Sequence, residues 1–236
     1  MMLATVAVRT GVAMLAVATL ASCSSKTPKP SSPPSTPSAA KTTTTKPAEP
    51  PGGYDIGRIA NLANQLPPGF TTTEIPRTTL TKEQADSAAG LEKQFAFTFD
   101  PPQCNTMLKP TGVEAGSESQ GLQAQGPQQL MIMAVRTAQP LPDTILGAGC
   151  DRVAFSSQEG ARGTAERLGG PAIDGVTTAA VKVHLDFAVA DFSKTIDRLS
   201  YFALLGDKTA VLIDGEKDPQ LLEDLLVKAV AAIRQK

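Results

Sequence analysis

The sequence predicts an α+β domain, a single antiparallel sheet packed by helices, and three patterns near its C-terminus indicate this. Residues 181–189 alternate between apolar and polar side chains, which is typical of a strand with one buried face. Two apolar segments, 198–205 and 209–213, flank the turn Gly206-Asp207-Lys208, as the strands of a hairpin do. Residues 221–233 carry apolar side chains at helical spacing. Strands joined by tight turns and followed by an amphipathic helix favour this class.

The final helix has its own start signal. Asp218-Pro219 predicts an N-cap followed by proline at the first helical position. The acidic residues Glu223 and Asp224 come early in the helix and the basic residues Lys228, Arg234 and Lys236 come late, which matches the helix dipole. We interpret the leucine-rich stripe as core, because such stripes pack inside a domain far more often than they bind a membrane.

Four further elements are predicted upstream. Residues 55–66 have a helical spacing that Pro67-Pro68-Gly69 ends. Thr81 with Gln84 predicts a capping box that opens a helix to about Leu91. Residues 94–99 alternate, with Phe95, Phe97 and Phe99 on one face of a half-buried strand. Asp100 is expected to cap a short helix that carries Cys104, Met107 and Leu108.

The middle of the chain mixes clear and weak signals. Residues 129–136 and 153–156 predict strands. Residues 111–127 consist largely of Gly, Ser, Glu and Gln, so we expect a mobile loop there. Residues 159–168 predict a short helix that ends at Gly169-Gly170-Pro171.

Residues 1–22 have the parts of a bacterial lipoprotein signal peptide. Arg9 precedes an apolar run over 11–20, which is shorter than the roughly 20 residues needed to span a bilayer. The sequence Leu20-Ala21-Ser22-Cys23 resembles the lipobox of bacterial lipoproteins. The resemblance implies acylation of the Cys23 thiol, cleavage before it, and anchoring on the extracytoplasmic side of the cell membrane through acyl chains such as palmitate. The alternatives are a plain transmembrane anchor and an ordinary signal peptide that ends near a cysteine.

Residues 23–53 are expected to be the lipidated cysteine and a disordered linker. Positions 24–53 hold eight Pro, six Ser and six Thr and no large apolar residue, so burial cannot offset the entropy of folding. Proline-rich chains favour the extended polyproline II conformation, with a reach of roughly 90 Å at about 3.1 Å per residue. The globular domain is therefore predicted to begin at residue 54 and to run to residue 236.

The charge of that domain argues against a nucleic-acid partner. Residues 54–236 hold 17 of the 22 basic and 22 of the 23 acidic residues, which gives a net charge of −5. The chain has no Trp, and its Tyr residues are Tyr54 and Tyr201, so aromatic platforms for stacking bases or sugars are scarce.

Apart from Cys23, the chain has two cysteines, Cys104 and Cys150. An exported protein meets oxidising conditions, so a disulfide between them is the expected state. A redox or metal-binding pair is the alternative, but the spacing matches neither a C-x-x-C motif nor a zinc pattern.

No familiar catalytic motif is present, and the one histidine is His184. Lys182, His184 and Asp186 share a strand face, and this trio is the leading enzymatic candidate, for a hydrolase-like activity near neutral pH. The alternative is a solvated face with cross-strand charge pairs. Five aspartates near strand ends could attract a cation, but their spacing matches no calcium loop, and no cofactor is predicted. They are Asp191, Asp197, Asp207, Asp214 and Asp218.

The chain as a whole resembles mycobacterial lipoproteins of the uncharacterised DUF5642 type and, more distantly, the extracellular sensor domains of PknH-type receptor kinases. The resemblance rests on the lipobox, the Pro/Thr/Ser linker, the Asp100-Pro-Pro-Gln-Cys104 segment, Cys150 before a strand, and the final strand–strand–helix order. It implies a central antiparallel sheet with helices and a ligand-binding cleft. The chain departs from the sensor domains in having one expected disulfide and no Trp.

These observations predict a membrane-anchored, non-enzymatic module that binds a small molecule, a lipid or a protein. We expect the cleft to be lined by the apolar strand face and gated by the 111–127 loop. The two alternatives are a hydrolase-like enzyme that uses His184 and a purely structural envelope protein.

Overall fold

The computed structural model of the chain describes residues 53–87, 97–108, 114–141, 150–189 and 192–234. The predictions for the signal peptide, Cys23, the linker up to residue 52, Phe95 and Asp191 lie outside these residues. None of the described helices is long and apolar enough to cross a membrane.

In chain order, the elements are a first 3₁₀-helix (Ile56–Gln65), β1 (Thr71–Thr79), β2 (Thr98–Asp100), a second 3₁₀-helix (Pro102–Leu108), β3 (Glu118–Gln125), β4 (Gln129–Arg136), β5 (Arg152–Ser156), β6 (Ala161–Gly169), β7 (Thr177–Val189), β8 (Phe192–Leu205), β9 (Thr209–Gly215) and α1 (Pro219–Arg234).

The nine strands form one antiparallel sheet in the order β1-β3-β4-β9-β8-β7-β6-β5-β2. The predicted antiparallel sheet with packed helices is therefore confirmed. The two longest strands, β7 and β8, pair over their whole length from Thr177–Leu204 to Val189–Phe192. β8 begins six residues before the predicted strand, and this longer pairing brings a second row of polar residues alongside β7.

The helices cover different halves of the two faces of the sheet. On one face, here called the helical face, α1 packs on β8 and β9, and the first 3₁₀-helix packs on β3 and β4. Fully buried side chains such as Leu225 in α1 and Ile59 in the 3₁₀-helix form the main core with Ile132 and Ile213 of the sheet. The predicted leucine stripe is therefore core, as expected.

A second core lies on the opposite face. The 3₁₀-helix Pro102–Leu108 packs against β2, β5 and β6 there. The predicted disulfide is confirmed: Cys104 and Cys150 are bonded and buried beside Phe155 and Val181. Since Ala180 belongs to the main core and Val181 to the second, the alternation of β7 sends its side chains to two separate cores.

The structure shows predicted helices beginning where the sequence indicated. The backbone N–H of Thr81 donates to Gln84 Oε1 at 2.9 Å and that of Gln84 donates to Thr81 Oγ1 at 3.2 Å, which is the predicted capping box, and residues 82–87 are helical. Asp218 caps α1 by accepting from the Leu221 N–H at 3.1 Å. The helix predicted over 55–66 is present as a 3₁₀-helix, with Asp55 as its N-cap.

Three predictions are wrong. The segment expected to be a loop contains β3, because Leu122 and Ala124 face the core and pairing with β1 and β4 outweighs the low strand propensity of Gln and Glu. The segment 159–168 is not a helix but mostly β6, which pairs on both sides and buries Ala161 and Ala165. Asp100 ends β2 and is not the N-cap, since the short helix begins two residues later, at Pro102.

Candidate functional site

The helices leave part of the helical face open to solvent. Two rows of cross-strand neighbours run over this area from β2 to β8. All ten side chains in them are exposed or half-buried. We call these two rows the open face. The first row consists of Asp100, Ala154, Thr164, His184 and Asp197, and the second of Thr98, Ser156, Arg162, Asp186 and Thr195.

His184 lies near the middle of the open face, between two carboxylates. Its Nδ1 is 2.8 Å from Oδ1 of Asp197 on β8, and its Nε2 is 3.4 Å from Oδ2 of Asp186 on its own strand. The side chain is 46 % exposed. The hydrogen bond to Asp197 raises the pKa of His184 above its ordinary value of 6.5; partial desolvation opposes this, and the charges of Asp186 and Asp197 add to it.

Asp186 is held from its other side. The Thr195 hydroxyl donates to Asp186 Oδ1 at 2.6 Å, and this hydrogen bond, with help from His184 and the charge of Arg162, lowers the pKa of Asp186. His184 and Asp186 are therefore brought together, as the sequence suggested. Lys182 is not part of the cluster, because its cross-strand neighbours are Glu166 and Leu199.

Asp197 is the partner that sequence reasoning missed, since it was considered only as a strand-end aspartate. The sequence upstream of Arg198 carries no clear signal for this, because its apolar residues Phe192 and Ile196 are four positions apart, and yet β8 begins at Phe192. With Val189 paired to Phe192, the register places Asp197 opposite His184. The expected alternative, cross-strand charge pairs on a solvated face, describes these contacts well.

Eight of the ten residues of the open face, all except Thr195 and Asp197, line a concavity of about 380 Å³. Ala154 makes its floor, because its methyl group leaves space between longer neighbours such as Arg162 and His184. The concavity is therefore lined mainly by the polar face of the strands. The apolar strand face, which was expected to line the cleft, contributes Phe99 and Phe155. The expected gate at 111–127 is wrong, since β3 lies within the sheet and no described residue of that segment lines this concavity.

A second concavity of about 340 Å³ adjoins the first on the helical face. It lies between Lys182 and Leu199 on the strands and, on the other side, Glu216 and Lys217 before α1 and Pro219 at its first position. Asp197 also lines it. Its hydrogen-bond partner His184 lines the first concavity, so the His184–Asp197 pair lies between the two. A third concavity, of about 550 Å³, is lined only by the loop at 172–178, and it lacks a cluster of charged side chains.

The geometry does not favour proton transfer by His184. A histidine that activates a hydroxyl needs one ring nitrogen facing that hydroxyl. Here both nitrogens face carboxylates. In the described part of the chain, no three His, Cys, Asp or Glu side chains are placed to hold a metal ion.

The aspartates considered as a cation site are dispersed. Asp214 is buried on the opposite face, where it accepts from Ser200 at 2.8 Å and pairs with Arg198 at 3.1 Å. Asp218 caps α1 and Asp207 lies in the β8–β9 turn. These three residues and Asp197 therefore do not form one site.

Fold and site together define an α+β domain with one antiparallel sheet and an open polar face. Residues 55–234 match the family described as a domain of unknown function, DUF5642, and the chain belongs to this family. The X-ray structure of an uncharacterized protein from Mycobacterium smegmatis, an ortholog of Rv0999, has a similar fold. It aligns with a TM-score of 0.61 and 23 % identity, over 77 % of this chain and 98 % of that one. No curated protein matches the chain. The resemblance to PknH-type sensor domains stays a prediction.

Proposed function

We propose that this protein is a lipid-anchored, extracytoplasmic binding module whose open face takes a polar ligand from the cell envelope. The observation that carries this proposal is the concavity of about 380 Å³ over Ala154, which is large enough for a small molecule. Its walls present carboxylates, a guanidinium, an imidazole and three hydroxyls. A binding role needs such groups held in fixed positions, and the sheet holds them.

The proposed location outside the cytoplasm, at the membrane, is supported by the N-terminal segment. The lipobox ending at Cys23 supports acylation, and the buried Cys104–Cys150 disulfide fits an oxidising compartment. The proline-rich linker between Cys23 and the domain would let the open face sample the space beside the membrane.

The two alternatives receive less support. A hydrolase using His184 conflicts with the engagement of both ring nitrogens by Asp186 and Asp197. A purely structural role leaves the concavity and its convergent polar groups without a purpose.

Two experiments test the proposal. For the anchor, a Cys23→Ser variant should lose incorporation of a labelled palmitate analogue and leave the membrane fraction. Retention of label by that variant would contradict acylation at this residue.

For the site, native protein is purified and its retained small molecules are identified by mass spectrometry. We expect an Ala154→Trp variant, whose indole fills the concavity, to lose the retained molecule. An Ala231→Trp variant at an exposed position of α1 is the matched control and should keep it. Equal retention by both variants would place the ligand elsewhere and overturn this site.

A further inference from the structure

The two concavities on the helical face are neighbours, because His184 lines the first and its hydrogen-bond partner Asp197 lines the second. From Ala154 in the first to Leu199 in the second, three strand spacings and one side-chain repeat amount to about 16 Å. No single sugar ring or amino acid spans this distance. Building on the proposed function, we propose that the ligand is a linear, uncharged carbohydrate chain that lies across both concavities.

Interleaved charges on the open face favour an uncharged ligand. Asp100, Asp186 and Asp197 each lie within two strand spacings of Arg162. Asp186 and Asp197 also contact His184. An anion placed over the site meets the three carboxylates, and a cation meets the guanidinium and the imidazolium. A ligand without net charge avoids both repulsions.

Hydroxyl groups suit these surroundings because each can donate and accept a hydrogen bond. The hydroxyls of Thr98, Ser156 and Thr164 and the guanidinium of Arg162 make no hydrogen bond to another described residue, so they are available to a ligand. Backbone groups do not compete, since β5 to β7 are paired on both sides. A ligand with many hydroxyls can satisfy donors and acceptors in any order along the rows.

Other ligand chemistries fit less well. A peptide that adds a strand needs a free sheet edge, and the strands below both concavities are interior except β2. A lipid tail needs a continuous apolar lining, and charged side chains such as Arg162 and Asp186 interrupt the lining here. In the second concavity the aliphatic groups of Leu168, Leu199 and Pro219 offer surfaces on which the C–H faces of a sugar ring can pack.

The test uses the full-length protein in detergent and arrayed linear glycans of neutral hexoses or N-acetylhexosamines, from monosaccharide to octasaccharide, with sulfated counterparts. We expect binding that increases at least tenfold from the monosaccharide to the longer neutral chains and that sulfation weakens. Binding of no glycan, equal binding of monosaccharides, or binding of sulfated chains alone would overturn the inference.

Two variants connect the array to the site. Thr164→Val keeps the shape of the side chain and removes its hydroxyl. The affinity for the best glycan should therefore fall about 3- to 10-fold, which is the usual effect of losing one hydrogen bond. Thr73→Val, on exposed β1, is the matched control and should leave affinity unchanged. An unchanged affinity in Thr164→Val would also overturn the inference. A further outcome is that the protein binds no glycan on the array while Ala154→Trp still abolishes retention of another molecule. That result would contradict a carbohydrate ligand but support the proposed binding function.

Discussion

His184 on β7 and Asp197 on β8 are directly opposed in the antiparallel register, and their side chains meet at 2.8 Å between Nδ1 and Oδ1. The contact joins the two longest strands of the sheet at a point that no helix covers. It also fixes the orientation of the chain's one imidazole, with Nε2 turned toward Asp186.

This pair predicts the titration of His184. Its pKa should lie above 6.5, and Asp197→Asn should lower that pKa more than Asp186→Asn does, because the Asp197 hydrogen bond is the largest cause of the shift. Nuclear magnetic resonance of the single histidine measures this without overlap. An unchanged pKa in Asp197→Asn would show that the pair does not form in solution.

The raised pKa of His184 also predicts how the stability of the folded protein depends on pH. A raised pKa means that the folded state binds the proton more tightly, so the stabilisation is fully present below pH 6.5 and is lost as pH rises through the raised pKa. Comparing urea unfolding of the wild type and His184→Gln across this range should show the difference in unfolding free energy shrinking toward high pH. A constant difference would contradict the linkage.

The disulfide between Cys104 and Cys150 should stabilise the domain substantially. It closes a loop with a sequence separation of 46 residues, which corresponds to about 4 kcal/mol in the chain-entropy model. The double variant Cys104→Ala/Cys150→Ala should therefore lose a few kcal/mol in urea unfolding, and reductant should destabilise the wild type but not the variant. Equal stability of oxidised and reduced wild type would refute this contribution.

Gly163 on β6 is required by close packing at the edge of the first concavity. A Cβ at this position would collide with the His184 carbonyl oxygen and lie 2.7 Å from Phe155 Cζ. We expect Gly163→Ala to lower the unfolding free energy by about 1–3 kcal/mol, as overpacking does.

Gly169 at the end of the same strand provides the matched control for that substitution. A Cβ there has nothing within 4 Å, so Gly169→Ala should change the unfolding free energy by no more than about 0.5 kcal/mol. Urea unfolding of both variants makes the comparison, and similar losses would mean that the close approach at Gly163 is absent.

The buried stripe of α1 gives a further paired test. Leu225 is 0 % exposed and Val227 is 42 % exposed. Truncating Leu225 to Ala should cost about 2–5 kcal/mol of unfolding free energy, because it removes buried contacts and leaves a cavity. Val227→Ala should stay within about 0.5 kcal/mol. Comparable losses from the two substitutions would place the helix in another orientation on the sheet.

Features that depend on a local pattern of residues could be predicted from the sequence. The alternation in β7, the turn at Gly206, the Asp218 cap and the leucine stripe of α1 each follow from residue spacing along one segment. The two cysteines also sufficed to predict their bond. A periodic segment has one face to bury, so its type can be recognised without its neighbours.

Tertiary structure decided the elements whose local composition points elsewhere. Residues 118–125 and 161–169 are polar or rich in helix-forming residues, yet each pairs with strands on both sides and buries small or apolar side chains. Hydrogen bonds and burial gained in the sheet outweigh the modest free energy of intrinsic propensity.

The open face was also decided by tertiary structure. Its polar groups come from five strands, and only the register brings Asp197 to His184 and sets Ala154 between Asp100 and Thr164. A register is a relation between distant segments, and a shift by one residue would turn every side chain to the other face. The chemistry of each residue can therefore be read from the sequence, whereas their meeting depends on the assembled sheet.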